Sequence, residues 1–270
     1  DGELYFVYGA SGDGWGLSRK HIDGLQVLWS SDSKKLFTVQ RDTRQVKDLP
    51  VLEHMPQDGS LRPQVKQIKI ALSGDAQVPE YRLLAIDIET GTIQDANYGR
   101  IPVARNGWGF FWAKLGWWAS DNRRTYFVDQ SRDYKAMRVM EFDTETGATR
   151  ILFEENAETH IDISFDSESP PPFFAIPETN ELVWWSERSG WAHLYLYDLE
   201  TGTLKHPITQ GDWQVRDVVS FDHQRREVFA QTAGRVPNRD PYYRDLVRIC
   251  IDTGEITTLA ASDHEYLVCA

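Results

Sequence analysis

The sequence has little cysteine, and it has fewer positively than negatively charged residues. Its two cysteines are Cys250 and Cys269, and their spacing matches no metal-binding motif. We expect Cys250 to pack as a small hydrophobic residue within a strand. Asp and Glu number 41 against 29 Lys and Arg, which gives a net charge of −12. This balance argues against nucleic acids and anionic membranes as partners, because both require a basic surface.

Long apolar runs and helical periodicity are also missing. No segment approaches the roughly 20 apolar residues of a membrane-spanning helix, and no basic, apolar leader opens the chain. The sequence opens on a stretch with strand character, residues 3–8, which suggests a piece of a longer protein and leaves the compartment open. Short β-branched and aromatic runs alternate with Gly, Pro, Asn and Asp, so we predict an all-β fold.

Four similar turns recur at nearly equal intervals. Residues 87–91 read Asp-Ile-Glu-Thr-Gly, 143–147 read Asp-Thr-Glu-Thr-Gly, 198–202 read Asp-Leu-Glu-Thr-Gly, and a degenerate copy lies at 251–254. Their glycines are successively 56, 55 and 52 residues apart. Asp can bond the backbone two residues on, and Gly accepts the left-handed conformation of a hairpin bulge. Such a period, with about four strands per unit, is typical of β-propeller blades.

Each unit also contains an inner hairpin before its glycine turn. Its polar turns lie at 29–35, 118–124, 176–181 and 221–226. We therefore predict a single β-propeller region over 1–270, with about four to five four-stranded blades. The repeats are predicted at approximately 25–104, 105–161, 170–211 and 212–261. The first is longer because residues 43–80 form an insertion rich in Pro and Gly, which we expect to project as a loop or hairpin.

A second irregular stretch is acidic. It contains Glu154, Glu155 and Glu158, then Asp162, Asp166 and Glu168, and it ends in three prolines. Calcium binding is one interpretation, but the spacing fits no EF-hand loop. We predict a solvated connection between blades.

The seven histidines are scattered and show no metal-binding helix spacing. They are His21, His54, His160, His193, His206, His223 and His264. His193 lies between aromatic residues in a strand and is expected to be packed. His160 and His264 lie in acidic loops and are expected to be solvated.

Other candidate residues admit both a ligand-binding and a structural interpretation. Asp129 or Glu187 could face a central funnel, where sugar-hydrolysing propellers place carboxylates. The aromatic cluster of residues 106–112 with Trp117 and Trp118 could stack a sugar or a peptide ring, but we favour packing of an innermost strand between blades. For Arg188 we expect a structural ion pair with a neighbouring carboxylate.

Several longer strings resemble one known family. They lie at 28–36 (LWSSDSKKL), 56–63 (PQDGSLRP), 74–79, 186–198 (SERSGWAHLYLYD), 209–215 (TQGDWQV) and 239–244 (RDPYYR). The chain is similar, from about residue 25 to its last residues, to the N-terminal propeller of the dipeptidyl peptidase IV branch of the prolyl oligopeptidase family, in its bacterial form.

The resemblance implies a serine peptidase whose propeller has seven or eight blades. That propeller lies over a C-terminal α/β-hydrolase domain and restricts access to a Ser, Asp and His triad. Small peptides, often with Pro or Ala in second place, lose an N-terminal dipeptide. The partners of this segment would be the hydrolase domain of the same polypeptide and a peptide substrate, and its role would be gating.

The sequence departs from the family in two respects. Gly-x-Ser-x-Gly, which carries the nucleophile of such hydrolases, does not occur, so we expect the hydrolase domain to be absent and the segment to be inactive alone. Family members hold the substrate's amino terminus with a Glu-Glu pair, but here Ser18, Arg19 and Lys20 stand in that stretch. Two cations would repel an ammonium group, which puts aminodipeptidase specificity in doubt.

These observations assign no catalytic, cofactor-binding or metal-ligating residue to the segment. Because an incomplete blade array leaves apolar sheet faces exposed, we expect the segment to form homo-oligomers. The alternative to a peptidase propeller is a stand-alone scaffold for protein–protein interaction.

Overall fold

The computed structural model describes residues 6–9, 26–56, 58–99, 114–162, 171–261 and 264, and their regular elements are all β-strands. Within these ranges no helix is long and apolar enough to cross a membrane. The chain consists of two compact units, Asp1–Arg132 with Met140–Arg150, and Asp133–Val139 with Ile151–Ala270.

The first sheet has an interrupted edge strand. It contains β1 (Phe6–Tyr8), β2 (Val27–Trp29), β3 (Lys35–Asp42), β6 (Glu80–Asp87) and β7 (Ile93–Asp95). The order is β1-β3-β6-β7, and β2 pairs with β3 as well. Strand β1 lies opposite residues 40–42 of β3, and β2 lies opposite residues 36–38. The two short strands together therefore occupy the position of one edge strand.

The other three sheets each have four strands in sequence order. The second contains β8 (Gly116–Trp118), β9 (Arg124–Gln130), β10 (Ala136–Asp143) and β11 (Thr149–Asn156). The third contains β12 (Phe174–Ile176), β13 (Glu181–Ser186), β14 (His193–Asp198) and β15 (Leu204–Pro207). The fourth contains β16 (Gln214–Asp222), β17 (Glu227–Ala233), β18 (Arg244–Cys250) and β19 (Ile256–Ala260). Neighbouring strands of the third and fourth sheets pair antiparallel throughout.

The insertion predicted at 43–80 contains a separate hairpin. Strand β4 (Asp48–Glu53) pairs antiparallel with β5 (Gln64–Lys69), and the two form a separate two-stranded sheet. In the sequence this hairpin lies between β3 and β6. The expectation of a hairpin within this insertion is confirmed.

The four glycine turns share one backbone geometry. The four glycines have φ between 69° and 79°, and each donates its N–H to the carbonyl of the residue four positions earlier, at 2.8–2.9 Å. They are Gly91, Gly147, Gly202 and Gly254. In the first three turns the Asp carboxylate accepts backbone N–H groups two or three residues on. Glycine and Asp are therefore required for the reasons that the sequence indicated.

Cys250 lies in a strand, as predicted, at the end of β18, but it is not fully buried. It occupies the Asp position of the fourth turn, since Gly254 donates to its carbonyl at 2.9 Å. A hydrogen bond with the Thr253 side chain lowers the pKa of the thiol. The residue is half-buried, so it acts as a turn residue rather than as a buried hydrophobe.

Aromatic side chains link the first two sheets within the first unit. Phe37 packs against Phe142 with ring centroids 6.1 Å apart, and edge-on against Trp118 at 6.3 Å. The Trp118 indole also donates to the Leu28 carbonyl at 3.0 Å. These contacts give Trp118 the packing role that the sequence favoured for it.

The third sheet is covered on both faces, which explains why all six residues of β13 are buried. On one face Phe153 of β11 stacks on Tyr197 with centroids 3.9 Å apart and meets Trp184 edge-on. On the other face the Trp185 indole donates to the Val215 carbonyl of β16 at 2.9 Å. Four-stranded antiparallel sheets packed face to face are the blades of a β-propeller, so the predicted fold class is confirmed.

Candidate functional site

The two ends of the third and fourth sheets differ in character. At one end lie the short turns at 177–180, 199–203, 223–226 and 251–255. Because strand direction alternates in an antiparallel meander, the remaining connections gather at the opposite end. These are the longer, irregular loops 187–192, 208–213 and 234–243. Irregular loops on a rigid scaffold are the usual place for binding residues, so we take this loop end as the candidate site.

A cleft of about 640 Å³ opens at the loop end of these two sheets. Its lining residues are Trp191, Gln214, Arg216, Ala233, Pro241, Tyr242, Tyr243 and Arg244. Trp191 from one loop is 41% exposed and Tyr242 from the other is 84% exposed. A concave surface with aromatic walls and a few polar groups is the common form of a ligand site.

An ion pair fixes the loop that carries Tyr242. Arg239 donates to the Asp245 carboxylate at 2.5 Å and to the Tyr243 carbonyl at 3.3 Å. Asp245 is fully buried in β18, and the Arg239 side chain is nearly so. A buried, charge-assisted pair holds loop 234–243 in one position and so fixes one wall of the cleft.

The loop that carries Trp191 is fixed by Glu155. One carboxylate oxygen accepts hydrogen bonds from the Trp184 indole at 2.9 Å and from Arg188 at 2.7 Å, and the other accepts from the Ser186 hydroxyl at 2.6 Å. Arg188 also donates to the Tyr197 hydroxyl at 2.6 Å. The expected ion pair of Arg188 is thereby confirmed.

The prediction of a solvated acidic loop is wrong for its first two residues. Glu154 and Glu155 lie in β11 rather than in a connection. Glu154 pairs with Arg138 at 3.0 Å, and the Glu155 carboxylate is turned inward against Trp184 and Arg188. The sequence shows a run of acidic residues, whereas their partners come from other strands.

Glu187 and Asp129 have different surroundings. Partial burial and the nearby Asp162 carboxylate raise the pKa of Glu187, which lies in loop 187–192. Asp129 is buried in β9 and accepts a hydrogen bond from the Tyr98 hydroxyl at 2.5 Å. Asp129 therefore has a structural partner, and Glu187 belongs to the loop end described above.

His193 is packed, as the sequence predicted. It is 1% exposed, and its ring nitrogens lie 3.0 Å from the Thr209 hydroxyl and 2.9 Å from the Gly211 carbonyl. Burial lowers its pKa, which favours the neutral ring. Because both nitrogens are engaged, His193 holds the connection 208–213 in place and is poorly suited to accept a proton.

Three of the other described histidines have separate neighbours. The His160 ring lies 5.3 Å from that of Tyr134, His206 contacts the Ile251 carbonyl at 2.8 Å, and His223 lies 3.5 Å from Glu178. Among the described residues, no three His, Cys, Asp or Glu side chains are grouped as metal ligands.

Several predicted residues lie outside the described ranges. They are Ser18, Arg19, Lys20, His21, residues 106–112, Asp166, Glu168 and Cys269. Trp117 is described, and its ring packs against Tyr126 with centroids 5.8 Å apart.

The cleft is not evident from the sequence, although both of its aromatic walls lie in distinctive sequence motifs. Residues 186–198 and 239–244 stood out as motifs, and they supply Trp191 and Tyr242 respectively. The missing information was that the two loops are adjacent in space. In-phase repeats did carry that signal, since both loops join the second and third strands of successive sheets.

Two solved bacterial structures are similar to this chain in fold. A solved structure of Porphyromonas gingivalis dipeptidyl peptidase 4 aligns over 97% of this chain and 34% of its own, with a TM-score of 0.71 and 19% identity. A second structure, from Bacteroides ovatus, aligns over 95% of this chain and 35% of its own, with a TM-score of 0.66 and 17% identity.

A curated relative matches over a shorter stretch. The Aspergillus flavus protein named "Probable dipeptidyl peptidase 4" is 46% identical over 44 residues, which are 16% of this chain and 6% of that protein. This chain therefore spans about a third of the solved relatives, and its alignment covers a small part of the curated one. The family model for the dipeptidyl peptidase IV (DPP IV) N-terminal region matches residues 23–269, and the chain belongs to that family.

Proposed function

We propose that this chain is the substrate-gating propeller of a serine exopeptidase that resembles dipeptidyl peptidase IV. The hydrolase domain of the same polypeptide would supply the triad, and small peptides, including those with Pro or Ala in second place, would be the substrates. Membership of the DPP IV N-terminal region family carries the proposal.

The form of the sheets supports a gating role. The turns at one end are short and satisfy their own hydrogen bonds, whereas the opposite end has long loops fixed by Glu155 and by the Arg239–Asp245 pair. Loops held in this way can restrict the size of an entering peptide and position it without taking part in bond cleavage.

Gating is tested in the full-length enzyme. Turnover of Xaa-Pro and Xaa-Ala chromogenic dipeptide substrates is compared with cleavage of a folded protein that begins with the same dipeptide. We expect the small substrates to be cleaved and the folded protein to resist, and equal cleavage of both would contradict gating. Purified residues 1–270 should give no turnover above background, and turnover there would overturn the proposed inactivity.

A further inference from the structure

A second, smaller depression adjoins loop 187–192, and we name it the β14 groove. Its volume is about 330 Å³, and its described lining residues belong to that loop, to β14 and β15, and to the connection 208–213. Trp191, which is 41% exposed, lines both this groove and the larger cleft. An accessible aromatic ring therefore forms part of the groove's wall.

Asp212 gives the β14 groove a negative charge. It is exposed, and it is the one acidic residue among the described lining residues, none of which is Lys or Arg. His193 also lines the groove, but burial lowers its pKa and favours the neutral ring. A cationic group that enters the groove therefore meets an anion, and it meets no opposing charge from the described lining residues.

The Asp212 carboxylate is available to a ligand. No described side chain donates a hydrogen bond to it or forms an ion pair with it. Two arginines of the same loop end are directed elsewhere, since Arg188 donates to Glu155 at 2.7 Å and Arg235 lies over the Trp213 ring at 5.5 Å from its centroid. Neither arginine lines the groove. A cationic ligand therefore does not have to displace an internal cation from Asp212.

The backbone around Asp212 is held in place on both sides. The His193 ring lies 2.9 Å from the Gly211 carbonyl and meets the Trp213 ring edge-on, with centroids 4.9 Å apart. Gly211 has φ +127°, and a Cβ atom there would lie 2.6 Å from the Trp213 indole nitrogen, so only glycine allows this close packing. An anion on a fixed segment loses less conformational freedom when it binds a ligand.

The uncharged part of the lining suits a cation that carries an aliphatic chain. Tyr195 and Pro207 lie opposite each other in the pairing of β14 with β15 and add apolar surface. Arg188 already covers the Tyr195 ring, at 4.5 Å from its centroid, so Trp191 is the ring that remains for a ligand. Cations are attracted to the face of a Trp ring. A volume of about 330 Å³ is at the small end of ligand pockets and suits one or two amino-acid residues.

We propose that the β14 groove binds a cationic group of a peptide, with the Trp191 ring and the Asp212 carboxylate as its two main contacts. The ring supplies cation–π attraction, and the carboxylate accepts charge-assisted hydrogen bonds from the ammonium or guanidinium group. The aliphatic part of the ligand packs against Pro207. The proposal rests on the proposed function for the ligand being a peptide, but the binding itself is measured without turnover.

The test follows the tryptophan indole N–H signals of the ¹⁵N-labelled 270-residue chain by NMR during titration with three peptides. The first is acetyl-Ala-Lys-Ala-amide. In the second, norleucine replaces Lys and removes the ammonium group at nearly equal side-chain size. The third is the norleucine peptide with a free amino terminus. We expect the first to bind at least about fivefold more tightly than the second, because both charged contacts are lost.

The third peptide distinguishes the two sources of an ammonium group. Binding comparable to the first peptide supports recognition of the chain terminus as well as of a side chain, and binding as weak as the second supports recognition of the side chain. Equal affinities of all three peptides, or no binding of any peptide at millimolar concentration, would overturn the proposal.

Two variants assign the effect to the groove. Asp212→Asn and Trp191→Leu should each reduce the preference for the charged peptide, followed through the signal of Trp213, which packs beside Gly211. Trp191→Leu also identifies the Trp191 signal by its disappearance. The matched control is Glu255→Gln, which removes the same charge from an exposed residue in the 251–255 turn, at the opposite end of the sheets.

Circular dichroism verifies that each variant is folded. A preference for the charged peptide that both groove variants retain, or that the control loses equally, contradicts the assignment to Trp191 and Asp212.

These results are independent of peptidase activity. If the charged peptides bind but the full-length enzyme does not cleave dipeptide substrates, the proposed function fails while the binding site stands. If the enzyme is active and the three peptides bind without regard to charge, only the assignment of the groove fails.

Discussion

A Cβ atom on Gly254 would lie 2.6 Å from the carbonyl oxygen of Ile208. Ile208 directly follows β15, the last strand of the preceding sheet. A Cβ atom on Gly147 would lie 2.8 Å from the carbonyl oxygen of Asp95, and one on Gly202 would lie closer still to the carbonyl oxygen of Leu152, both in the preceding sheet. Two separate reasons therefore require glycine in each of these turns. One is its positive φ, and the other is the close approach of one sheet to the next.

Gly91 provides a matched control for this double requirement. It has φ +69°, close to the +72° of Gly254, but nothing lies within 4 Å of its Cβ position. We expect Gly91→Ala to lower the free energy of unfolding by about 1–2 kcal/mol from left-handed strain alone. Gly254→Ala should cost roughly 1–3 kcal/mol more, because the methyl group meets a backbone atom. Urea unfolding followed by circular dichroism measures both, and equal losses would refute the close-approach argument.

The Asp143–Arg123 contact should make stability depend on pH in the acid range. Arg123 donates two hydrogen bonds to Asp143, at 2.6 and 3.1 Å, and this contact is the main cause that lowers the pKa of Asp143 from 3.8 to about 2. Since the folded-state pKa is depressed, the contribution is complete above the unfolded value and disappears as pH falls from about 4 to about 2. Arg123→Gln should raise the pKa of Asp143, as measured by NMR titration.

Asp222 is the control for that measurement. Its pKa is lowered chiefly by the backbone N–H of Arg225, which a side-chain substitution retains. Arg225→Gln should therefore leave the pKa of Asp222 below its ordinary value. A similar rise at both positions would mean that the guanidinium contact has no special weight at Asp143.

Glu155 should contribute far more to stability than its neighbour Glu154. Substituting Glu155 with Ala leaves the Trp184 indole, the Ser186 hydroxyl and Arg188 without their shared acceptor. The Glu155 side chain is 11% exposed, and leaving donors unsatisfied around it costs about 1–3 kcal/mol. Glu154 pairs with Arg138 near the surface, with both side chains about one-third exposed, so Glu154→Ala should cost at most about 1 kcal/mol.

Thermal or urea unfolding compares the two glutamate variants directly. Near-ultraviolet circular dichroism adds a local signal, because Trp184 loses a fixed hydrogen bond in one variant only. Equal destabilisation by the two variants would show that Glu155 does not organise loop 187–192.

We predict that the chain self-associates, and exposed apolar side chains around the β4–β5 hairpin are one cause. Met55 and Leu61, in the segment that joins β4 to β5, are 86% and 100% exposed, and Val65 of β5 is 63% exposed. We expect species larger than a monomer in sedimentation at tens of micromolar, with weaker association when Met55 and Leu61 are replaced by Ser. A clean monomer of the unaltered chain at that concentration speaks against the prediction.

Local chemistry made the turns predictable. Asp87 and Gly91 belong to one turn of five residues, so the hydrogen bonds and the positive φ that select them are decided within that turn. The same holds at Asp198 and Gly202. Repetition of such self-contained turns indicates the sheets, and with them the fold class, from the sequence alone.

Partners distant in sequence made other residues unpredictable. In the sequence Glu155 cannot be distinguished from the other residues of an acidic run. Its partners Arg188 and Trp184 belong to the next sheet. Arg244 and Trp191 are 53 positions apart in the chain and become neighbours only in the cleft. No local pattern distinguishes a carboxylate that will be buried from one that will be hydrated.

The sequence by itself determined the all-β composition, the period of the repeats and the turn geometry, since each follows from interactions among residues a few positions apart. The tertiary structure alone decided that Glu155 is an acceptor shared by Trp184, Ser186 and Arg188. It also decided that Cys250 takes the position of a turn aspartate, and that Trp191, Arg216 and Arg244 line one cleft. The physical reason is that burial and charge pairing depend on which side chains from separate sheets come within a few ångströms of one another.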